Sequence, residues 1–146
     1  MAWPWMKQTN ATEADNPAGS AKADETARAR TGRLGEARAQ RYLEARGLRV
    51  LERNYRVARG RSRFGGEIDL ILLDADGTLV FVEVRVRRGA MGGGAAASVD
   101  PAKRARLVFA ARTYLARLPR VPPCRFDVVA VDGDRIQWLK AAFDAD

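Results

Sequence analysis

The sequence predicts an α/β domain built on a mixed β-sheet, with elements in the order α-β-β-β-α-β-β. Two observations support this prediction. Apolar residues recur at helical spacing in residues 107–118, and strands of alternating pattern occur in residues 66–87 and 126–139. Strands interleaved with helices favour a layered sheet covered by helices.

The chain of 146 residues is expected to form one folded domain. Residues 1–30 are rich in Ala, Asn, Thr, Asp, Glu and Lys, which predicts a disordered N-terminal tail, and residues 31–146 then form the domain. The segment Trp3-Pro4-Trp5 leaves two interpretations open, a loose terminus or a docking peptide for a partner protein.

The first helix is predicted to begin at an N-cap, Thr31, and to end near Arg46, where Gly47 stops it. A first strand follows over residues 48–57, and a loop rich in arginine covers residues 58–65. The predicted core-facing stripe of this helix is Leu34, Ala37, Tyr42 and Leu43.

The second half of the domain begins after a glycine-rich stretch, residues 88–98. Asp100-Pro101 predicts the start of the second helix, since Asp caps helices and Pro is favoured at the first helical position. Pro119 ends this helix, and two strands follow over residues 126–131 and 135–139. The predicted core stripe of the helix is Leu107, Ala111, Tyr114 and Leu118.

The acidic residues of the central hairpin are the main functional signal. Side chains alternate faces along a strand, so Ile68, Leu70 and Leu72 are expected on one face, with Glu67 and Asp69 on the other. In the next strand Val80, Val82, Val84 and Val86 share one face, and Phe81, Glu83, Arg85 and Arg87 the other. Carboxylates within apolar runs are costly unless a metal or another cation offsets their charge.

The register of this hairpin depends on its turn. A three-residue loop, residues 75–77, with Gly77 in the left-handed conformation would pair Asp74 with Thr78 and place Asp69 opposite Glu83. Glu67 then lies opposite Arg85, either as its ion-pair partner or as a carboxylate supporting the site. A two-residue loop would instead place Asp69 opposite Val84.

Composition restricts the chemistry. The chain has one cysteine and no histidine, which leaves no disulfide framework, almost no route to a structural zinc site and no His-dependent triad. Residues 1–30 carry four basic and four acidic side chains, so the whole net charge of +8 belongs to residues 31–146. A basic domain favours DNA as a partner, although solvated arginines would give the same composition. No apolar run is long enough to span a membrane, and the expected location is the cytoplasm.

Two or three carboxylates on adjacent strands suit Mg²⁺ or Mn²⁺, which could activate water for phosphodiester hydrolysis. The pattern Asp69…Glu83-Val84-Arg85 resembles the PD-(D/E)xK signature of restriction-endonuclease-like nucleases. More broadly, residues 32–131 resemble the YraN family of small bacterial proteins. The matching segments are Gly35-Glu36, Ala39, Tyr42-Leu43, Arg53-Asn54-Tyr55-Arg56, 66–71, 81–84, Lys103 and 125–127.

This resemblance implies a fold similar to Holliday-junction resolvases, a function on branched or damaged DNA, and a homodimer. It also implies that the first helix supplies a third acid, Glu36, so that Glu36, Asp69 and Glu83 would be the metal-binding and catalytic acids. By residue chemistry alone, Glu36 could equally complement the helix dipole.

One residue departs from the family pattern, because Arg85 stands where such nucleases carry lysine. Arginine can stabilise a phosphate but cannot act as a general base. Three interpretations stay open: neutral drift in a chain with 22 Arg and four Lys, loss of catalysis to leave a DNA-binding module, or replacement of the amine by Lys103. Six arginines are candidate phosphate contacts: Arg59, Arg61, Arg63, Arg87, Arg88 and Arg104.

Overall fold

Two helices and five strands occur in the part of the chain that the structure describes, residues 17–87 and 99–145, in the predicted order. The structure is a computed structural model. The helices are α1 (Pro17–Glu44) and α2 (Pro101–Leu115). The strands are β1 (Arg49–Arg59), β2 (Ser62–Leu73), β3 (Leu79–Arg87), β4 (Cys124–Asp132) and β5 (Arg135–Phe143).

Helix α1 begins earlier than the sequence predicted. It starts at Pro17, so the predicted N-cap Thr31 lies inside the helix and residues 17–30 are helical where a disordered tail was expected. The physical reason is composition, since this stretch is dominated by Ala, Glu, Lys and Arg, which are strong helix formers. The chain divides into two units, Met1–Arg30 and Thr31–Asp146, and residues 1–16, including Trp3 and Trp5, lie outside the described residues.

The five strands form one mixed sheet in the order β1-β2-β3-β4-β5. The pair β3–β4 is parallel and the other three pairs are antiparallel. The parallel pair requires a crossover, and α2 lies within that crossover. The predicted fold class, a mixed sheet flanked by helices, is confirmed.

The two helices cover opposite faces of the sheet. Alternate strand residues divide into two buried clusters, and the larger contains α2 residues such as Leu107 and Ala111 with Phe81 and Phe126. The other cluster contains Ala39 of α1 and further residues of α1 and the strands: Leu43, Leu70, Leu72, Val80, Val82, Val84, Val129 and Val131. The predicted stripe of α2 is confirmed for Leu107, Ala111 and Tyr114. Leu118 packs on the same cluster, but it follows the end of the helix at Leu115.

The predicted stripe of α1 is only partly correct. Leu43 is fully buried, but Leu34 is 60% exposed and the small residue Ala39 is buried instead. The face of α1 that meets the sheet is therefore narrower and has smaller side chains than the apolar spacing suggested. None of the helices among the described residues is long and apolar enough to cross a membrane.

The buried carboxylate Asp127 on β4 holds the far end of the sheet together. Its two oxygens accept hydrogen bonds from Arg125 Nε, both at 3.1 Å, from Trp138 Nε1 at 2.9 Å and from the backbone N–H of Ala141 at 2.9 Å. Arg125 also reaches Asp74 at the β2–β3 turn, at 3.0 Å. Because its bonding capacity is used by the protein itself, Asp127 is structural.

A glycine sets the distance between α2 and β2. A Cβ atom on Gly66 would lie 2.2 Å from the backbone oxygen of Arg106 in α2, far inside van der Waals contact. Only glycine therefore lets α2 pack this closely on the sheet, and the helix carries Lys103 toward β3.

We expect Gly66→Ala to lower the free energy of unfolding by about 1–3 kcal/mol, because the helix must move away from the sheet. The matched control is Gly32→Ala in α1, where an added Cβ meets no atom within 4 Å. That change should raise the stability by up to about 1 kcal/mol through helix propensity. Urea unfolding of both variants checks the prediction, and a Gly66→Ala protein as stable as wild type would contradict it.

Candidate active site

The turn between β2 and β3 has the predicted form. Gly77 has φ of +88°, and the backbone N–H of Asp74 donates to the carbonyl of Thr78 at 2.9 Å. The ladder continues through Leu70, which lies opposite Val82. This is the register predicted from the three-residue loop, and continuing it by one residue would oppose Asp69 and Glu83.

At Asp69 the ladder between β2 and β3 stops. Bonded pairs alternate along an antiparallel ladder, so after Leu70 and Val82 the next would be Ile68 and Val84. Instead, the Val84 N–H donates to the Asp69 carboxylate, with an N–Oδ2 distance of 2.8 Å. The side chain of Asp69 has replaced a backbone acceptor, and the two strands part at this point.

The predicted alternation of β2 is wrong at the same residue. Ile68 packs with the α2 cluster, whereas Leu70 and Leu72 pack with the α1 cluster. On the neighbouring strand, Asn54 lies at the level of Asp69, between the pairs Arg53–Leu70 and Tyr55–Ile68, and neither it nor Asp69 is paired in the ladder. Asn54 has φ of +49°, so both strands are irregular here and the faces change over.

The faces predicted for β3 are confirmed from Val80 to Val84. Glu83 lies on the same side as Phe81, toward α2, and is 3% exposed. Its Oε1 atom lies 3.1 Å from Lys103 Nζ on α2 and 3.7 Å from Arg85 Nη1. Its other oxygen, Oε2, is buried with no hydrogen-bond partner among the described residues.

Asp69 and Glu83 form a pair of neighbouring carboxyls, and the charge of one affects the pKa of the other. Burial, followed by the charge of Glu83, raises the pKa of Asp69 to about 8, and the Val84 hydrogen bond opposes this only in part. Two ionised carboxylates cannot donate to each other, which leaves Glu83 Oε2 unpaired. A protonated Asp69 can donate to Glu83, and the raised pKa of Asp69 favours that protonated form near neutral pH.

Glu36 and Glu67 belong to the electrostatic surroundings of this pair. Partial burial raises the pKa of Glu36, and the charges of Glu67 and Glu83 raise it further. Helix α1 reaches this position because Gly35 lies against β3, where an added Cβ would come within 2.2 Å of Val86 Cγ2. The part of α1 around Gly35 therefore brings Glu36 toward the point where β2 and β3 separate.

Glu67 has a different partner from the one predicted. It lies opposite Arg56 in the β1–β2 register, and Arg56 Nε is 3.1 Å from Glu67 Oε1. The predicted partner followed from the β2–β3 pairing, whereas β1, on the other side of β2, supplies the cation.

Four of the six arginines predicted to contact phosphate have side chains among the described residues, and their phosphate contacts stay predictions. Arg59 is 5.3 Å from the ring centre of Phe109, and Arg104 donates to the Val99 carbonyl at 3.0 Å. Arg61 is exposed in the β1–β2 turn, and Arg87 is half-buried at the end of β3. Arg88 and the side chain of Arg63 lie outside the described residues.

Among residues 17–87 and 99–145, no group of three or more Asp, Glu or Cys side chains is already arranged to hold a metal ion. Two carboxyls, Asp69 and Glu83, are in contact, and Glu36 interacts with both electrostatically. The donor set fits a magnesium-type ion in one respect, because such ions are commonly bound by one or two carboxylates together with substrate phosphates and water. The ligand roles of Glu36, Asp69 and Glu83 stay predictions.

The protein has a mixed α/β fold. Its candidate site is the largely buried acidic pair, Asp69 and Glu83, at the point where β2 and β3 separate. The chain belongs to the family described as Uncharacterised protein family UPF0102, whose model matches residues 35–131. This is the YraN family, so the resemblance seen in the sequence is confirmed.

Curated relatives carry the same family name. A UPF0102 protein of Paracidovorax citrulli is 59% identical over 129 residues, covering 88% of this chain and 92% of the relative. One from Methylibium petroleiphilum is 61% identical over 111 residues, covering 76% and 91%. One from Cupriavidus taiwanensis is 57% identical over 122 residues, covering 84% and 88%.

The carboxyl pair makes stability depend on pH. An acid whose folded-state pKa is raised holds a proton that the unfolded chain has released, so stability falls as pH rises from its ordinary value toward its folded value. For Asp69 that window runs from 3.8 to about 8. In metal-free buffer we expect Asp69→Asn to gain stability relative to wild type between pH 5 and pH 8, by at most about 1.4 kcal/mol per pH unit.

Urea unfolding at several pH values measures this difference. The control is Asp76→Asn, because hydrogen bonds to Thr78 lower the pKa of that exposed carboxyl and place its titration below the window. A stability difference between Asp69→Asn and wild type that stays constant from pH 5 to pH 8 would show that Asp69 does not titrate there.

Proposed function

We propose that this protein is a metal-dependent nuclease acting on DNA, with Asp69 and Glu83 as its central carboxylates. The observation that carries the proposal is the buried pair itself. The two acids lie together where the β2–β3 ladder ends, and Glu83 Oε2 has no hydrogen-bond partner among the described residues. Such an arrangement is costly in the free protein, and a divalent cation would offset the cost.

The surrounding side chains support a site for phosphodiester hydrolysis. A bound Mg²⁺ or Mn²⁺ would polarise the scissile phosphate and lower the pKa of a bound water. Lys103 and Arg85, which both form ion pairs with Glu83, would stabilise the negative charge that develops on the phosphate. This class of nuclease carries a lysine at the position of Arg85, and here the amine of Lys103 would take the role of that lysine.

A second function is favoured by the same two cations. Lys103 and Arg85 offset part of the charge of Glu83 without a metal. A protein of this fold that binds DNA without cutting it would need these two cations but no metal. In that case affinity comes from phosphate contacts and does not depend on Asp69.

Cleavage assays test the first function. With Mg²⁺ or Mn²⁺ we expect the full chain to cut one or more of three DNAs: a four-way junction, a single strand and a duplex. Asp69→Asn and Glu83→Gln should each lower the rate by at least about a hundredfold, because each removes a metal ligand. Asp76→Asn, an exposed acid, should cut at the wild-type rate. Cutting by the Asp69 and Glu83 variants at that rate would exclude them from catalysis.

Arg85→Lys separates the two functions. If the pair is a working site weakened by arginine, lysine should increase cleavage, since a lysine can lose its proton and orient water. Arg87→Lys, at the next outward position on the same strand, is the matched control. If neither wild type nor Arg85→Lys cuts any of the three DNAs, the protein is better described as a binding module.

A further inference from the structure

A pocket of about 230 Å³ opens beside the acidic pair, between α1 and β1. Its volume is several times the roughly 30 Å³ that one water occupies in the liquid, so it can hold a group of several atoms. Glu36 and Asn54 are among its lining residues, and Asn54 lies level with Asp69 in the sheet. The pocket therefore shares Glu36 with the candidate active site, although neither the hairpin pattern nor the charge pattern of the sequence indicated it.

Four of the seven lining residues carry hydrogen-bond donors (Arg33, Gln40, Arg53 and Asn54), and Glu36 is an acid. Arg33 comes from α1, and Arg53 and Asn54 come from β1. Ala37 and Leu70 complete the lining. None of the described residues that line the pocket is aromatic, so they provide no platform on which a base would stack.

Arg53 is held in a fixed orientation. Its Nε atom donates to Gln40 Oε1 at 2.5 Å, and Gln40 Nε2 donates to Glu44 Oε1 at 3.1 Å. This relay anchors one edge of the guanidinium. Within the described residues the structure assigns no partner to its two terminal amino groups, which suit the paired oxygens of a phosphate.

Asn54 presents its side chain from a costly backbone conformation. A non-glycine residue at φ of +49° is uncommon, and asparagine is among the few that tolerate it. No hydrogen bond to its amide occurs in the described part of the chain. The side chain is thus available to a ligand, and glycine would keep the backbone while removing it.

We propose that this pocket binds a backbone phosphate of DNA, next to the phosphate at the acidic pair. Arg33 and Arg53 neutralise its charge and the Asn54 amide donates to it. The choice of DNA rests on the proposed function, but the pocket does not require cleavage. Glu36 also lines the pocket, and its carboxylate opposes phosphate binding, so the two arginines must outweigh one acid.

The test measures DNA binding by the full chain in EDTA, using fluorescence anisotropy over a range of salt concentrations. Arg33→Ala and Arg53→Ala should each weaken binding and reduce the slope of log K against log salt by about 1, because each removes one phosphate contact. Asn54→Gly should weaken binding about 2- to 10-fold with little change in slope, as expected for one neutral hydrogen bond.

Matched controls lie on the same elements. Arg41 on α1 and Arg49 on β1 are exposed and outside the pocket, so their alanine variants should keep the wild-type slope. The single-stranded DNAs oligo(dT) and oligo(dA) of equal length serve as probes, and the Asn54→Gly loss should be the same for both. A loss confined to one of them would mean that the pocket reads a base, which overturns the proposal. Circular dichroism confirms that each variant is folded.

The outcome can be separated from that of the cleavage assay. If the pocket variants bind like the Arg41 and Arg49 controls while the wild type still cuts DNA, the pocket proposal is wrong and the nuclease function stands. If no form of the protein cuts DNA but Arg33→Ala and Arg53→Ala lose slope, the pocket stands and the nuclease function fails. Absence of any DNA binding overturns the pocket proposal irrespective of cleavage.

Discussion

The hydrogen bond from the Val84 N–H to the Asp69 carboxylate is the interaction on which the site depends. It takes the place of the bond to the Ile68 carbonyl that would have continued the ladder, so β2 and β3 part while β3 stays paired with β4. The parting gives Asp69 and Glu83 a shared, largely buried position. Without it the two strands would close, and the acids would be opposed side chains on an ordinary sheet.

Close packing of the two helices on the two faces of the sheet limits the space around Asp69 and Glu83. Gly66 allows α2 to approach β2, and α2 brings Lys103 to Glu83. Gly35 allows α1 to approach Val86, and the next residue, Glu36, reaches the electrostatic field of the pair. A larger side chain at either glycine would move a helix and its charged residue together, so the packing of the core and the charge balance of the site are linked.

The acids of the chain serve two different purposes, and their hydrogen bonds distinguish them. Asp127 is as buried as Glu83, but hydrogen bonds from three protein N–H groups satisfy its oxygens and fix the β4–β5 end of the sheet. Glu83 has two cations on one oxygen and no partner for the other among the described residues. A buried acid left incompletely satisfied is the more informative for function, because the protein alone does not offset its cost.

The sequence by itself determined the order of the elements, the turn at Gly77, the register that opposes Asp69 and Glu83, and the family, because these follow from local periodicity, turn chemistry and short motifs. It did not determine the helical start at Pro17, where a polar composition suggested disorder although the residues favour a helix. Only the tertiary structure decided that the faces change over at Asn54 and Asp69, that Arg56 rather than Arg85 lies opposite Glu67, and that a donor-lined pocket opens beside Glu36. Each of these depends on which strand or helix lies next to another, and residue spacing along one strand carries no information about the neighbour on its other side.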